Sequence, residues 1–179
     1  MTDRKGLEQL FKKNGYSDYK WIDPKDIVVA QWVRMKCTFG CSVYGRSGCC
    51  PPETPSVEDC ERFFHEYKTA VVFRFEKKVK KPQDRHDWTA LVNKKLLGLE
   101  REAFLLGNRK AFLLFMDTCE LCKECSGSRR GCFNKTGARP APEAMAMDVF
   151  ATVRKVGYPI EVLTDYTQAM NRYAFLMVD

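Results

Sequence analysis

The chain has 179 residues, 45% of them hydrophobic, nine cysteines and a formal net charge of +7. That length predicts a single domain over residues 1–179 with a real core, and the apolar content excludes a disordered chain. No apolar run is long enough for membrane insertion, and the first twenty residues hold no uninterrupted apolar stretch of the secretory kind, so the expectation is a soluble, cytoplasmic protein.

In chain order, residues 4–13 predict a short helix with Leu7, Leu10 and Phe11 on one side. Residues 26–34, DIVVAQWVR, read as a strand leading into a first cysteine group: Cys37, Cys41, Cys49 and Cys50, closed by Pro51 and Pro52. Residues 56–67 predict a helix with Ser56 as N-cap and Asp59 three positions on. Val57, Cys60, Phe64 and Tyr67 recur there at helical spacing, which makes Cys60 a small core residue and not a ligand.

Residues 69–75 read as a buried strand and 76–86 as a charged loop. A long helix then runs from Asp87, its expected cap, to Gly107, with Trp88, Leu91, Val92, Leu99 and Leu106 as its apolar face. AFLLFM, residues 111–116, is continuously apolar, as in a strand buried on both faces. The second cysteine group follows at once: Cys119, Cys122, Cys125 and Cys132. A helix is expected next, with Pro142 near its first position, Glu143 in the first turn and Gly157 at its end. Residues 160–164 and 172–178 read as two final strands forming a hairpin.

This order predicts an α/β fold: a small mixed, largely parallel sheet from two βαβ units, with a C-terminal hairpin and cysteine-rich metal loops, or alternatively an α+β fold. The parallel arrangement puts the second cysteine group beyond the carboxyl end of a central strand, where ligand sites gather in open α/β sheets. The helix starting near Pro142 would then offer backbone N–H groups to an anionic cluster.

Disulfides are rare in a reducing cytosol, so nine cysteines point to metal or redox chemistry. The second group has the spacing Cys-x2-Cys-x2-Cys-x6-Cys. A structural zinc ion usually draws Cys-x2-Cys pairs from two separate knuckles, whereas a compact three-cysteine run is the ferredoxin-type signal for a cubane cluster, with Cys132 near enough to be the fourth ligand. The first group, Cys-x3-Cys-x7-Cys-Cys-Pro-Pro, ends in prolines that hold the chain extended and steer it away from a metal. Adjacent cysteines rarely share one metal. Either Cys49 or Cys50 is therefore a spare, with Cys50, which carries the proline, preferred as the ligand.

Two wirings stay open. Each group holds its own cluster, or Cys50 or Cys132 serves the other site, as between the clusters of two-cluster ferredoxins. The formal charge could suggest nucleic acid, but metal-bound thiolates would remove about eight charges and leave the chain near neutral, so nucleic acid is not the expected partner. Lys123, Arg129, Arg130 and Lys135 flank the second group, either compensating a cluster or docking an acidic partner. Arg139 stands where it can pair with Glu143 or Asp148 or donate to a cluster sulfide. His65 and His86 read as structural or solvent-facing, and no phosphate loop is present.

The segments KCTFGCSVYG, CCPPETP, CELCKEC and RPAPEAMAMDVF resemble those of the predicted metal-binding proteins grouped as domain of unknown function 2284, found largely in anaerobic archaea and bacteria. That resemblance implies functional roles for Cys37, Cys41, Cys50, Cys119, Cys122, Cys125, Cys132, Arg139, Pro140, Glu143 and Asp148. Cys49 lies outside the family pattern, and Ala141 stands where the family has serine. The resulting expectation is an iron–sulfur protein with one or two [4Fe–4S] clusters, transferring electrons to a redox partner protein in anaerobic metabolism. Its rivals are a redox enzyme with an open-site cluster at the first cysteine group and a zinc-stabilised binding module.

Overall fold

The middle of the sheet is continuously apolar, as in Val71, Val72, Phe73, Leu113, Leu114, Ala174, Phe175 and Leu176, because it is covered on both faces. The computed structural model describes residues 3–165 and 167–179. Its helices are α1 (Arg4–Lys13), α2 (Gln31–Gly40), α3 (Val57–His65), α4 (Pro82–Leu105) and α5 (Val149–Lys155). Its strands are β1 (Tyr19–Ile22), β2 (Ala70–Lys77), β3 (Phe112–Leu114) and β4 (Met170–Met177). Among the described residues these strands form one antiparallel sheet in the order β1-β2-β4-β3.

The longest ladder pairs β2 with β4, from Ala70 opposite Met177 to Lys77 opposite Met170. Side chains alternate between two cores. Val72, Leu114, Tyr173, Phe175 and Met177 face α3 and α5, meeting Cys60, Phe64, Val149 and Val153. Val71, Phe73, Leu113, Ala174 and Leu176 face α1 and α4, meeting Leu7, Phe11, Leu96, Leu99 and Ala103. The result is a three-layer arrangement with the sheet in the middle.

The expectation of a largely parallel sheet from two βαβ units is overturned. A strand buried on both faces gives the same continuous apolar run whether its neighbours are parallel or antiparallel, so AFLLFM carried no information on direction. β2 and β3 do point the same way, with α4 crossing between them, but β4 inserts between the two and runs against both. The expected C-terminal hairpin is absent for the same reason: residues 160–164 form no strand, and β4 pairs with β2 and β3 instead.

Residues 26–34 are not a strand either. Val29 makes one isolated bridge to Met147, and α2 begins two residues later. Trp32, Met35 and Phe39 there follow helical spacing, which the preceding Ile-Val-Val masks. α4 starts at Pro82, five residues before the expected cap Asp87, with the proline where its missing N–H costs nothing. Leu91 and Leu106 prove exposed, and Asn93 and Glu100 are buried in their stead. The single helix expected from Pro142 is divided: a 3-10 turn at Glu143–Met145, then Ala146 in the left-handed region (φ 58°), then α5 capped by Asp148.

These corrections move the site. The second cysteine group follows β3, an edge strand, and not a central one. Pro140 O accepts from Phe115 N at 3.0 Å, so the chain returns from that group directly beside the sheet. No helix among the described residues is long and apolar enough to cross a membrane.

Cys60 has no exposed surface and packs with Phe64 and Met145. Cys60→Ala should therefore lower stability by about 1 kcal/mol and leave metal uptake unchanged, as measured by denaturant unfolding and metal analysis. Loss of bound metal in that variant would contradict its place in the core.

Candidate metal centre

The first cysteine loop is anchored by α2. Cys37 sits on its last turn and Cys41 is its C-cap. One turn earlier, Arg34 donates to Pro55 O and Ala144 O, both at 3.1 Å, and so ties α2 to the end of the loop and to the 3-10 turn. Ala30 N donates to Ala146 O at 2.9 Å and Asp148 N to Val28 O at 2.7 Å, which fixes residues 144–148 alongside the entry to α2. Within the loop, Gly45 N reaches Pro51 O at 3.1 Å, Cys50 N reaches Ser47 O at 3.2 Å, and Glu53 N reaches Cys50 O at 2.9 Å. The chain thus folds into successive turns that present thiols on a short stretch of backbone.

The second loop is anchored by α4. Asn93, fully buried, donates its amide to Thr118 O at 2.9 Å and to Cys119 O at 3.3 Å. Glu120 lies in the left-handed region (φ 49°) and is held there by His86 Nδ1 at 2.8 Å and by the hydroxyl of Thr118 at 3.0 Å. His86 is thus a residue of α4 that orients the loop. Leu121 packs into the core, and Cys119 beside it is only partly exposed.

The two loops touch. A Cβ placed on Gly48 would lie 2.6 Å from Ser128 O, so only glycine permits this approach. Glu53 Oε2 accepts from Arg129 N at 2.8 Å and closes the contact. Between the loops lies a cavity of about 210 Å³ bordered by Cys49, Cys50, Cys119, Cys122, Cys125 and Cys132. Cys37 and Cys41 do not line it. Among the described residues, no three His, Cys, Asp or Glu side chains converge closely enough to hold a single metal ion as they stand. The thiols surround a space; they do not meet at a point. Soft thiolate donors of this kind suit zinc, copper(I) or iron–sulfur clusters.

The sulfurs are electrostatically unlike one another. Cys119 accepts a hydrogen bond from the Cys49 thiol and from the backbone N–H groups of Leu121 and Arg139, and these donors hold it below the usual thiol range despite its burial. Cys49 is pushed far up, first by holding the proton it shares with Cys119 and then by burial. Burial raises Cys50 to about 11, with Cys37 and Cys41 adding to the push against the Ser47 hydroxyl. Cys37 is raised by burial and by Cys41, against the opposing charge of Arg34. Metal ligation requires thiolates, so a bound cation replaces protons that the metal-free chain retains.

Of the other residues marked in the sequence, Arg139 reaches neither Glu143 nor Asp148. Its guanidinium forms a two-pronged pair with the buried Glu100, Nε to Oε1 at 2.9 Å and the terminal nitrogen to Oε2 at 2.9 Å, while Leu113 N donates to the same carboxylate at 2.8 Å. This pair locks the backbone whose N–H faces Cys119. Glu143 offers its carbonyl 4.0 Å from Cys37 Sγ. Crowding by the chain pushes its carboxyl up, with Asp117 adding to the push, although the residue keeps an open side to solvent. Asp148 caps α5 at Ala151 N, 3.0 Å away, and is thereby engaged in the fold. Sequence reasoning missed Arg34, hidden in a stretch read as a strand, and Glu100, whose signal was a carboxylate inside the apolar stripe Leu96, Leu99 and Ala103. It also missed the meeting of Gly48 with Ser128, which no local pattern encodes.

In the metal-free chain, alkylation of Cys119 should set in at a clearly lower pH than that of Cys50, because the thiolate is the nucleophile. Mass-spectrometric labelling as a function of pH reads both, and a Cys119 profile no different from that of Cys50 would contradict the hydrogen bonding described.

The chain belongs to the family described as predicted metal-binding protein (DUF2284), whose profile matches residues 20–178. No curated protein and no solved structure matches it.

Proposed function

We propose that this metal-binding protein carries [4Fe–4S] clusters at two adjoining cysteine centres and passes electrons to a partner protein. The observation that supports this reading best is the ring of thiols about a cavity of about 210 Å³, with two backbone N–H groups aimed at the Cys119 sulfur. A lone zinc ion needs four donors at about 2.3 Å from one point, hence about 3.8 Å from each other. A polynuclear cluster is held from its outside, by thiols that stand farther apart. Hydrogen bonds to cluster sulfurs are among the levers that set a reduction potential, and the Arg139–Glu100 pair holds one of those donors in place.

When bound, such a cluster supplies one-electron redox chemistry. The chain's own residues do the rest. Cys119, Cys122, Cys125 and Cys132 would hold the second centre, and Cys37, Cys41 and Cys50 the first. The positive charges of Lys94 and Arg129 act on Cys122 and Cys49 and favour the anionic sulfurs. Cys41 and Cys125 are exposed, which gives each centre an edge at the surface where an electron can enter or leave. The reading places the protein in a reducing compartment, the cytoplasm, and in anaerobic metabolism.

A second reading is a redox enzyme with its reaction centre at the first group. One observation favours it: Cys37 and Cys41 both press on Cys50, while the thiols that press on Cys49 are Cys119 and Cys132. Three thiols leave one metal position free for a small ligand, as open positions do in catalytic sites.

The chain purified without oxygen should be brown, and dithionite should bleach its visible absorption. Cys122→Ser should remove about half of that absorption, the share of one of two clusters. A colourless protein, or a Cys122→Ser variant with undiminished absorption, would sink the proposal.

A further inference from the structure

We propose that the outward face of α2, together with the rim of the cavity between the two cysteine loops, is the docking surface for a small acidic redox protein. This deepens the electron-transfer reading and rests on it for the nature of the partner. The starting observation is that α2 is turned inside out. A helix on a globular protein normally buries its apolar stripe. Here Trp32, Met35 and Phe39, at i, i+3 and i+7, are all exposed, Phe39 at 79%. The inward side holds Val33 and Arg34, and the Arg34 guanidinium donates to Pro55 O and Ala144 O. An apolar stripe of this kind on the surface marks a place for a partner.

Two further features say what the partner is. The first is that the stripe leads to the metal centre. Val43, four residues after Phe39, and Phe133 of the second loop are exposed, Phe133 at 78%, and both border the cavity that the cysteines surround. Cys41, also exposed, lies between Phe39 and Val43 in the chain. Encounters between redox proteins bury little surface, and a single stripe with a rim is enough for one. Aromatic residues and methionine are the side chains that favour the centre of such contacts. The second feature is that the charges around the patch are of one sign. Residues 27–52 contain no aspartate or glutamate. Their outward charges are Arg46 and Lys36, whose ammonium lies 5.1 Å from the centre of the Trp32 ring. Lys123, Arg129, Arg130 and Lys135 stand exposed on the second loop, against the exposed carboxylate of Glu124. Lysine and arginine side chains are longer than that of cysteine, so an incoming surface meets positive charge first, and an acidic one is attracted. A second copy of this chain is disfavoured, because a twofold contact would set the same basic residues against each other.

The probe is a purified acidic ferredoxin, with a basic cytochrome c as the control. Binding to the metal-loaded full chain is followed by surface plasmon resonance at low and high salt. The ferredoxin should bind and the cytochrome should not, and the affinity should fall as salt rises. Trp32→Ala and Phe39→Ala should each weaken binding roughly 30-fold, as at the centre of an interface. Lys36→Glu and Arg46→Glu should slow association and flatten its salt dependence, and they serve as the test should an aromatic variant fail to fold. Leu105→Ala, at an exposed residue of α4, should change nothing. The proposal is overturned if the ferredoxin does not bind, if cytochrome c binds as well, or if the α2 variants bind like the unaltered chain. A dimer in sedimentation that Phe39→Ala dissociates would give the face to a second copy. Uptake by anionic lipid vesicles that Phe39→Ala abolishes would give it to a membrane surface, and either result also overturns the proposal. Binding is read without electron transfer. A finding of zinc would therefore end the iron–sulfur proposal whatever the ferredoxin does, whereas an iron–sulfur chain that ignores the ferredoxin would end this one alone.

Discussion

Two adjoining loops hold eight thiols, and thiolates so placed repel one another while losing the water that would screen them. The structure answers this constraint with protons and donors. Cys49 keeps a proton and shares it with Cys119, Cys50 stays protonated under burial, and Leu121 N and Arg139 N stabilise the one sulfur that is readily ionised. A bound cation meets the same constraint more fully, because it replaces every shared proton with a direct bond. The basic residues around the second loop and the membership in a metal-binding family follow the same logic.

The fold exists, for this purpose, to bring together two loops some seventy residues apart. It does so through connections that are easy to overlook. β4 enters between β2 and β3, which leaves β3 at the sheet edge with the second loop free beyond it. The chain returning from that loop passes Phe115 at Pro140 and then runs beside Val28 and Ala30 at the entry to α2. Arg34 completes the clasp by bonding both sides. Neither loop contains regular secondary structure around its cysteines beyond the end of α2, so each depends on its anchors: Arg34 for the first, Asn93 and the His86–Glu120 contact for the second.

The two cysteine groups stood out in the sequence because their signal is local. Spacing within a loop, a following proline and the absence of an apolar period are all visible in a dozen residues. α1 and α3 were legible for the same reason: Asp3 and Ser56 cap periods of apolar residues that the structure buries. Sheet direction was not, because Val71 and Leu113 are buried whichever way their neighbours run. The partners of Arg139 and Cys49 were not legible either. Arg139 finds Glu100 on α4 and Cys49 finds Cys119 across the loop contact, and both pairings arise only from tertiary packing. The nearest carboxylates in sequence, Glu143 and Asp148, are held elsewhere by the 3-10 turn and by the cap of α5.

The central claim, that the thiols hold clusters and not single ions, is tested most directly by the iron, acid-labile sulfide and zinc content of chain purified without oxygen. Two cubanes require about eight irons and an equal amount of sulfide per chain. Stoichiometric zinc with no sulfide would contradict the account and leave a structural metal module in its place.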